Sequence, residues 1–104
     1  MVSQKLDNDG YIENMLDWNE RIASEIAIKE NLILTDAHWE IINLTREFYE
    51  RYQISPATRA LANLIKQELG GKKGSSLYLM KLFGGSPAKM VSKISGLPKP
   101  DNCI

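Results

Sequence analysis

The sequence predicts a mainly α-helical fold: a small orthogonal helical bundle with an N-terminal β-hairpin and a flexible C-terminal arm. Three observations predict it. Apolar residues recur at helical spacing in successive segments, as in Ile41, Leu44, Phe48 and Tyr52. Ser55-Pro56, Gly70-Gly71, Gly84-Gly85 and Ser86-Pro87 cut the chain into four or five short helices. The last nine residues, Gly96-Leu97-Pro98-Lys99-Pro100-Asp101-Asn102-Cys103-Ile104, carry two prolines spaced by one residue, which fix φ and remove backbone donors. At 104 residues the chain makes one domain, residues 1–104, of which 96–104 are the mobile arm.

Asp9-Gly10 between Leu6 and Tyr11-Ile12 signals the hairpin, since glycine accepts the positive φ of a tight turn. A helix is expected from about Trp18, N-capped by Asp17, with Ile22 and Ile26 stacked at i, i+4. Thr35 caps the next helix, and Asp36 in its first turn suits the helix dipole. Ser55-Pro56 starts a third helix, N-cap followed by proline at the first helical position. Its face is Ala57, Leu61, Leu64 and Ile65, and Gly70 stops it. Leu77 to Phe83 is apolar enough for a short buried helix, and a last helix runs from Ser86-Pro87 to about Ser95. Orthogonal packing follows from short helices joined by tight turns.

Composition narrows the functional classes. A 43% apolar, 25% charged chain is an ordinary globular one. One cysteine excludes an internal disulfide or a cysteine-cluster metal site, and no cofactor is implied. The start of the chain lacks a basic-then-apolar leader, and no apolar run approaches the ~18 residues of a membrane span, so a soluble cytoplasmic protein is expected. The zero net charge is divided: residues 1–55 carry five Lys/Arg against eleven Asp/Glu, a net of −6, and residues 56–104 carry eight against two, a net of +6. Such a division either steers an acidic partner or nucleic acid to the C-terminal half or is simply a dipolar solvated surface. The candidate docking cations are Lys72, Lys73, Lys89, Lys93 and Lys99.

Cys103 is the first chemical candidate. On an extended arm it could stand roughly 20 Å beyond Gly96. Its neighbours Asp101 and the carboxylate after Ile104 are anionic and disfavour the thiolate, so the thiol depends on a partner's site for activation. By itself it is either a carrier or an accidental thiol on a frayed end. His38, the one histidine, has no second histidine near it for a metal and reads as a surface residue. The basic Gly70-Gly71-Lys72-Lys73-Gly74 stretch lacks the spacing of a phosphate-binding loop. The helices at 35–52 and 56–69 are joined as in a helix-turn-helix, but the second brings only Arg59 and Lys66 as cations, few for a duplex reader.

Taken in order, Lys72-Lys73-Gly74-Ser75-Ser76-Leu77-Tyr78-Leu79, Leu82-Phe83, Pro87-Ala88-Lys89 and Ile94-Ser95-Gly96-Leu97-Pro98-Lys99-Pro100 with Cys103 penultimate resemble the DsrC/TusE family. Asp9-Gly10-Tyr11, Trp18-Asn19, Leu34-Thr35, His38-Trp39 and Ser55-Pro56-Ala57 fit the same pattern, so the resemblance covers nearly the whole chain. It implies a helical fold with an N-terminal hairpin and an arm that carries sulfur on Cys103. It also implies, in the branch that partners dissimilatory sulfite reductase, another cysteine eleven positions earlier, where this chain has Ser92. The departure favours the TusE-like branch, a sulfurtransferase in the relay for 2-thiolation of tRNA wobble uridine. Cys103 would then accept a persulfide from a TusBCD-like donor complex and pass it to an MnmA-like thiouridylase, with direct tRNA contact left open. The alternatives are a DsrC-like partner of sulfite reductase and a helix-turn-helix DNA-binding regulator.

Overall fold

Asp7 organises a tight turn through its side chain. Its Oδ1 accepts the N–H groups of Asp9 (2.9 Å) and Tyr11 (3.0 Å), while Gly10, at φ +89°, supplies the left-handed step. The computed structural model describes residues 6–100, and among these the expected β-hairpin is corrected to a single antiparallel bridge, Leu6 with Ile12. Asp-Gly encodes the turn, not strands. Directly after Ile12, Asn14 caps a 3-10 turn at Met15–Asp17, which leaves no room for a second strand. Tyr11 and Ile12 are buried, and the Tyr11 hydroxyl donates to the Lys89 carbonyl at 3.2 Å.

Five α-helices follow: α1 (Glu20–Lys29), α2 (Asp36–Tyr52), α3 (Thr58–Leu69), α4 (Ser76–Phe83) and α5 (Pro87–Ile94). Asn19, not Asp17, caps α1, its Oδ1 accepting from the Ile22 N–H at 2.9 Å. Thr35 precedes α2 as expected, and Ser75 caps α4 by accepting from the Tyr78 N–H at 3.2 Å. Proline at its first position opens α5. Helix α3 starts two residues later than Ser55-Pro56 suggested, because the Ser55 hydroxyl is used elsewhere and Ala57 takes the cap position.

The core is Ile22 and Ile26 of α1, Ile41 and Ile42 of α2, Leu61 and Ile65 of α3, Leu79 and Phe83 of α4, and Val91 and Ile94 of α5. Each such side chain contributes about 1.5–3 kcal/mol by leaving water. Helix α5 packs against all four others, and Ala88 and Ser92 on it are small enough to let them close. The expected α2 stripe divides: Ile41 is fully buried, whereas Leu44 and Phe48 are half-covered and Tyr52 is 56% exposed. Gly74 lies against α3, where a Cβ would come within 2.9 Å of the Ala62 carbonyl oxygen. The basic glycine loop is therefore close packing around a helix stop. No helix among the described residues is long and apolar enough to cross a membrane.

His38 is not the surface residue the sequence suggested; it is 6% exposed. Its Nδ1 accepts the Thr35 N–H at 3.1 Å, and a backbone amide can only donate, so Nε2 carries the proton. That Nε2–H donates to the Leu82 carbonyl at 2.7 Å, and the ring meets Phe83 edge-on with centroids 5.0 Å apart. One imidazole thus closes the start of α2 and the end of α4, a structural duty.

Candidate functional site

The last turn of α5 leaves carbonyls without helical partners, and their disposal decides where the tail begins. Gly96 turns left-handed at φ +73°, so its N–H reaches the Lys93 carbonyl (3.3 Å) and the Leu97 N–H reaches that of Ser92 (3.0 Å). This paired closure is a Schellman cap. Two side chains from distant segments take the next two carbonyls. The Trp18 indole N–H donates to Ile94 at 2.7 Å, and the Arg46 guanidinium donates to Ser95 at 2.5 Å. Arg46 also stacks on the Trp18 ring, 3.8 Å from its centroid. Burial draws the Arg46 pKa down and Glu50 opposes it, yet a guanidinium stays charged, well placed at the negative end of the α5 dipole.

A β-carbon at position 96 would run into the Trp18 indole. The glycine is therefore required twice, by its φ and by the ring lying on it. Beyond it the chain continues against the body: Leu97 is 2% exposed, the Ser55 hydroxyl donates to the Pro98 carbonyl at 2.5 Å, and Pro100 is buried. The Lys99 ammonium lies 3.8 Å from an Asp9 carboxylate oxygen. Residues 96–100, expected to be the free base of an arm, are instead a docked root. Extended backbone is not free backbone when its side chains and carbonyls find partners. Cys103 lies outside the described residues, as does the rest of the expected arm from Asp101 onward.

The candidate docking cations fall into two groups. Lys89, Lys93 and Lys99 surround the N-terminal turn. The Lys89 carbonyl holds Tyr11, Lys93 pairs with Glu30 at 3.2 Å beneath the Tyr11 ring, and Lys99 faces Asp9. Lys72 and Lys73 stand apart on the α3–α4 connection, Lys72 exposed and Lys73 bonded to Glu40 at 2.9 Å, which raises the Lys73 pKa. Three of these pairs join the acidic half of the sequence to the basic half, so part of the charge division is spent within the fold. Ser92 is fully buried in α5.

Sequence reasoning passed over Trp18, Arg46 and Ser55 as parts of the tail root. Trp18 and Ser55 carried a signal, because both stand in the segments that resemble the family pattern; Arg46 carried none. The tail root also borders an open hollow of about 360 Å³ whose wall includes Pro98 and Lys99.

The chain matches the family model described as DsrC like protein over residues 2–104. It is 49% identical over 98 residues to the sulfurtransferase TusE of Photorhabdus laumondii, covering 94% of this chain and 88% of that protein. It is 46% identical over 103 residues to the sulfurtransferase TusE homolog of Haemophilus influenzae, covering 99% and 94%. Among solved structures, DsrC of Allochromatium vinosum superposes with a TM-score of 0.86 at 46% identity, covering 95% of this chain and 88% of the other. The oxidized DsrC γ-subunit of the Archaeoglobus fulgidus dissimilatory sulfite reductase superposes at 0.84 and 33% identity, covering 97% and 92%.

Proposed function

The chain belongs to the DsrC-like protein family, and on that footing we propose that it is a TusE-type sulfurtransferase that carries one sulfur atom as a persulfide on Cys103. The observation that supports this most is the anchored tail root, held by Trp18, Arg46 and Ser55, with the only cysteine three residues beyond it in sequence. Kinship with proteins named sulfurtransferase TusE over nearly the full length supports the same reading.

The chemistry is two displacements that conserve electrons. In loading, the Cys103 thiolate attacks the outer sulfur of a donor persulfide; the new S–S bond forms, the old one breaks, and the donor leaves as thiolate. In delivery, an acceptor thiolate attacks the outer sulfur and Cys103 leaves as thiolate. The donor is a TusBCD-like complex and the acceptor an MnmA-like thiouridylase acting on tRNA wobble uridine. Position 92 is serine, so no second thiol of this chain can attack the Cys103 persulfide and discharge it as a disulfide. That separates this reading from redox cycling of a two-cysteine sulfite-reductase partner.

Incubation with inorganic polysulfide, followed by intact-mass spectrometry, tests the site. One extra sulfur on the C-terminal peptide, removed by dithiothreitol and missing in Cys103→Ser, is the expected result. A wild-type protein that gains no sulfur under conditions that load a free model thiol contradicts it.

A further inference from the structure

The docked root shortens the reach of the thiol, and from this we infer an interface: the apolar hollow beside the tail, where α2 meets α3, seats an apolar side chain of the protein that accepts sulfur from Cys103. This inference rests on the carrier reading. With residues 96–100 held against the body, Cys103 is only three residues past the buried Pro100, a span of about 10 Å when fully extended. A partner whose reacting sulfur lies inside a pocket must bring its own surface to within that distance of Pro100. The two bodies then touch around the tail root, and what lies there is part of the contact.

What lies there is shaped for an apolar group. Pro98 and Lys99 wall the hollow, and Phe48, Ile54, Pro56 and Ala60 line it. Phe48 and Ala60 also line a second groove of about 360 Å³ that continues past Leu44, Tyr52 and Leu64. The hollow by itself is more than twice the ~150 Å³ that holds a benzene-sized group. Ile54 is 58% and Tyr52 56% exposed, so an apolar surface faces water beside the carrier segment. The charged rim is balanced, Arg51 and Lys99 against Glu47 and Glu68. A polyanion gains nothing from that rim, whereas a protein segment with an apolar anchor and a carboxylate to replace Asp9 at Lys99 fits it.

The test uses the full chain with Ile54→Asp in the hollow and, separately, Tyr52→Glu in the adjoining groove, both at exposed positions, with the melting temperature as the check on folding. Six quantities are read: melting temperature, oligomeric state, tRNA binding, polysulfide loading of Cys103, transfer to the purified thiouridylase without tRNA, and 2-thiouridine in cells lacking the wild-type protein. Unchanged melting and loading are expected, with transfer and 2-thiouridine falling about tenfold or more from a carboxylate forced into an apolar contact. Wild-type transfer by both variants, while Cys103→Ser abolishes it, overturns the interface and leaves the carrier reading standing. Thiolation that survives Cys103→Ser overturns the carrier reading itself. Loading that rises several-fold in the variants assigns the hollow to the chain's own last four residues. A wild-type dimer that the variants split assigns it to a second copy, and tRNA binding lost with transfer retained assigns it to RNA; each of these overturns the inference.

Discussion

Gly96→Ala is expected to destabilise the protein by about 3 kcal/mol, summing a left-handed alanine (~1–2 kcal/mol) and an overpacked contact with Trp18 (~1–3 kcal/mol). For a domain of this size that lowers the melting temperature by roughly 15 °C. Circular dichroism at 222 nm, which follows the helices, measures it. A shift of a degree or two would mean that Gly96 is neither left-handed nor covered by the indole. Because the same residue closes α5 and starts the tail, sulfur transfer at temperatures where the variant is folded should fall as well. The steric clash can be met only by moving Trp18, and Trp18 holds the Ile94 carbonyl.

Arg46→Ala is the second large effect. It strips the Ser95 carbonyl of a charged donor and uncovers the Trp18 face, a loss of about 2 kcal/mol for a half-buried group. Arg46→Lys should recover less than half of it, since an ammonium cannot both lie flat on the ring and reach the carbonyl. Trp18 fluorescence, read in a Trp39→Phe background, should shift to the red in both variants as the indole meets water. Stability and emission equal to wild type in Arg46→Lys would show that Arg46 supplies charge alone.

These contacts also explain what the sequence disclosed and what it withheld. The later helices were legible because their signals are local: Thr35, Gly70, Ser86-Pro87 and the apolar spacing between them each act within one or two turns. The start of α1 was misplaced because Asp17 and Asn19 are both acceptable caps; the choice falls to Asn19 once Trp18 must lie extended to reach the end of α5. His38 looked exposed because its partner, the Leu82 carbonyl, is 44 residues away in sequence. The tail root was misread for the same reason. Pro98 and Pro100 announce extended backbone, but Trp18, Arg46 and Ser55 reach positions 94–98 across 43 to 76 residues of chain. Cys103 stands out in the sequence as the only thiol, in a tail whose pattern resembles the family's, and it lies outside the described residues.

The central claim is that Cys103 carries sulfur destined for tRNA, and it is tested most directly by 2-thiouridine at the wobble position in cells lacking this protein. Complementation with wild type and with Cys103→Ser, at matched protein levels, is the comparison. The account predicts thiolation lost in the deletion, restored by wild type and not by Cys103→Ser. Full thiolation in the deletion, or equal restoration by the serine variant, would contradict it.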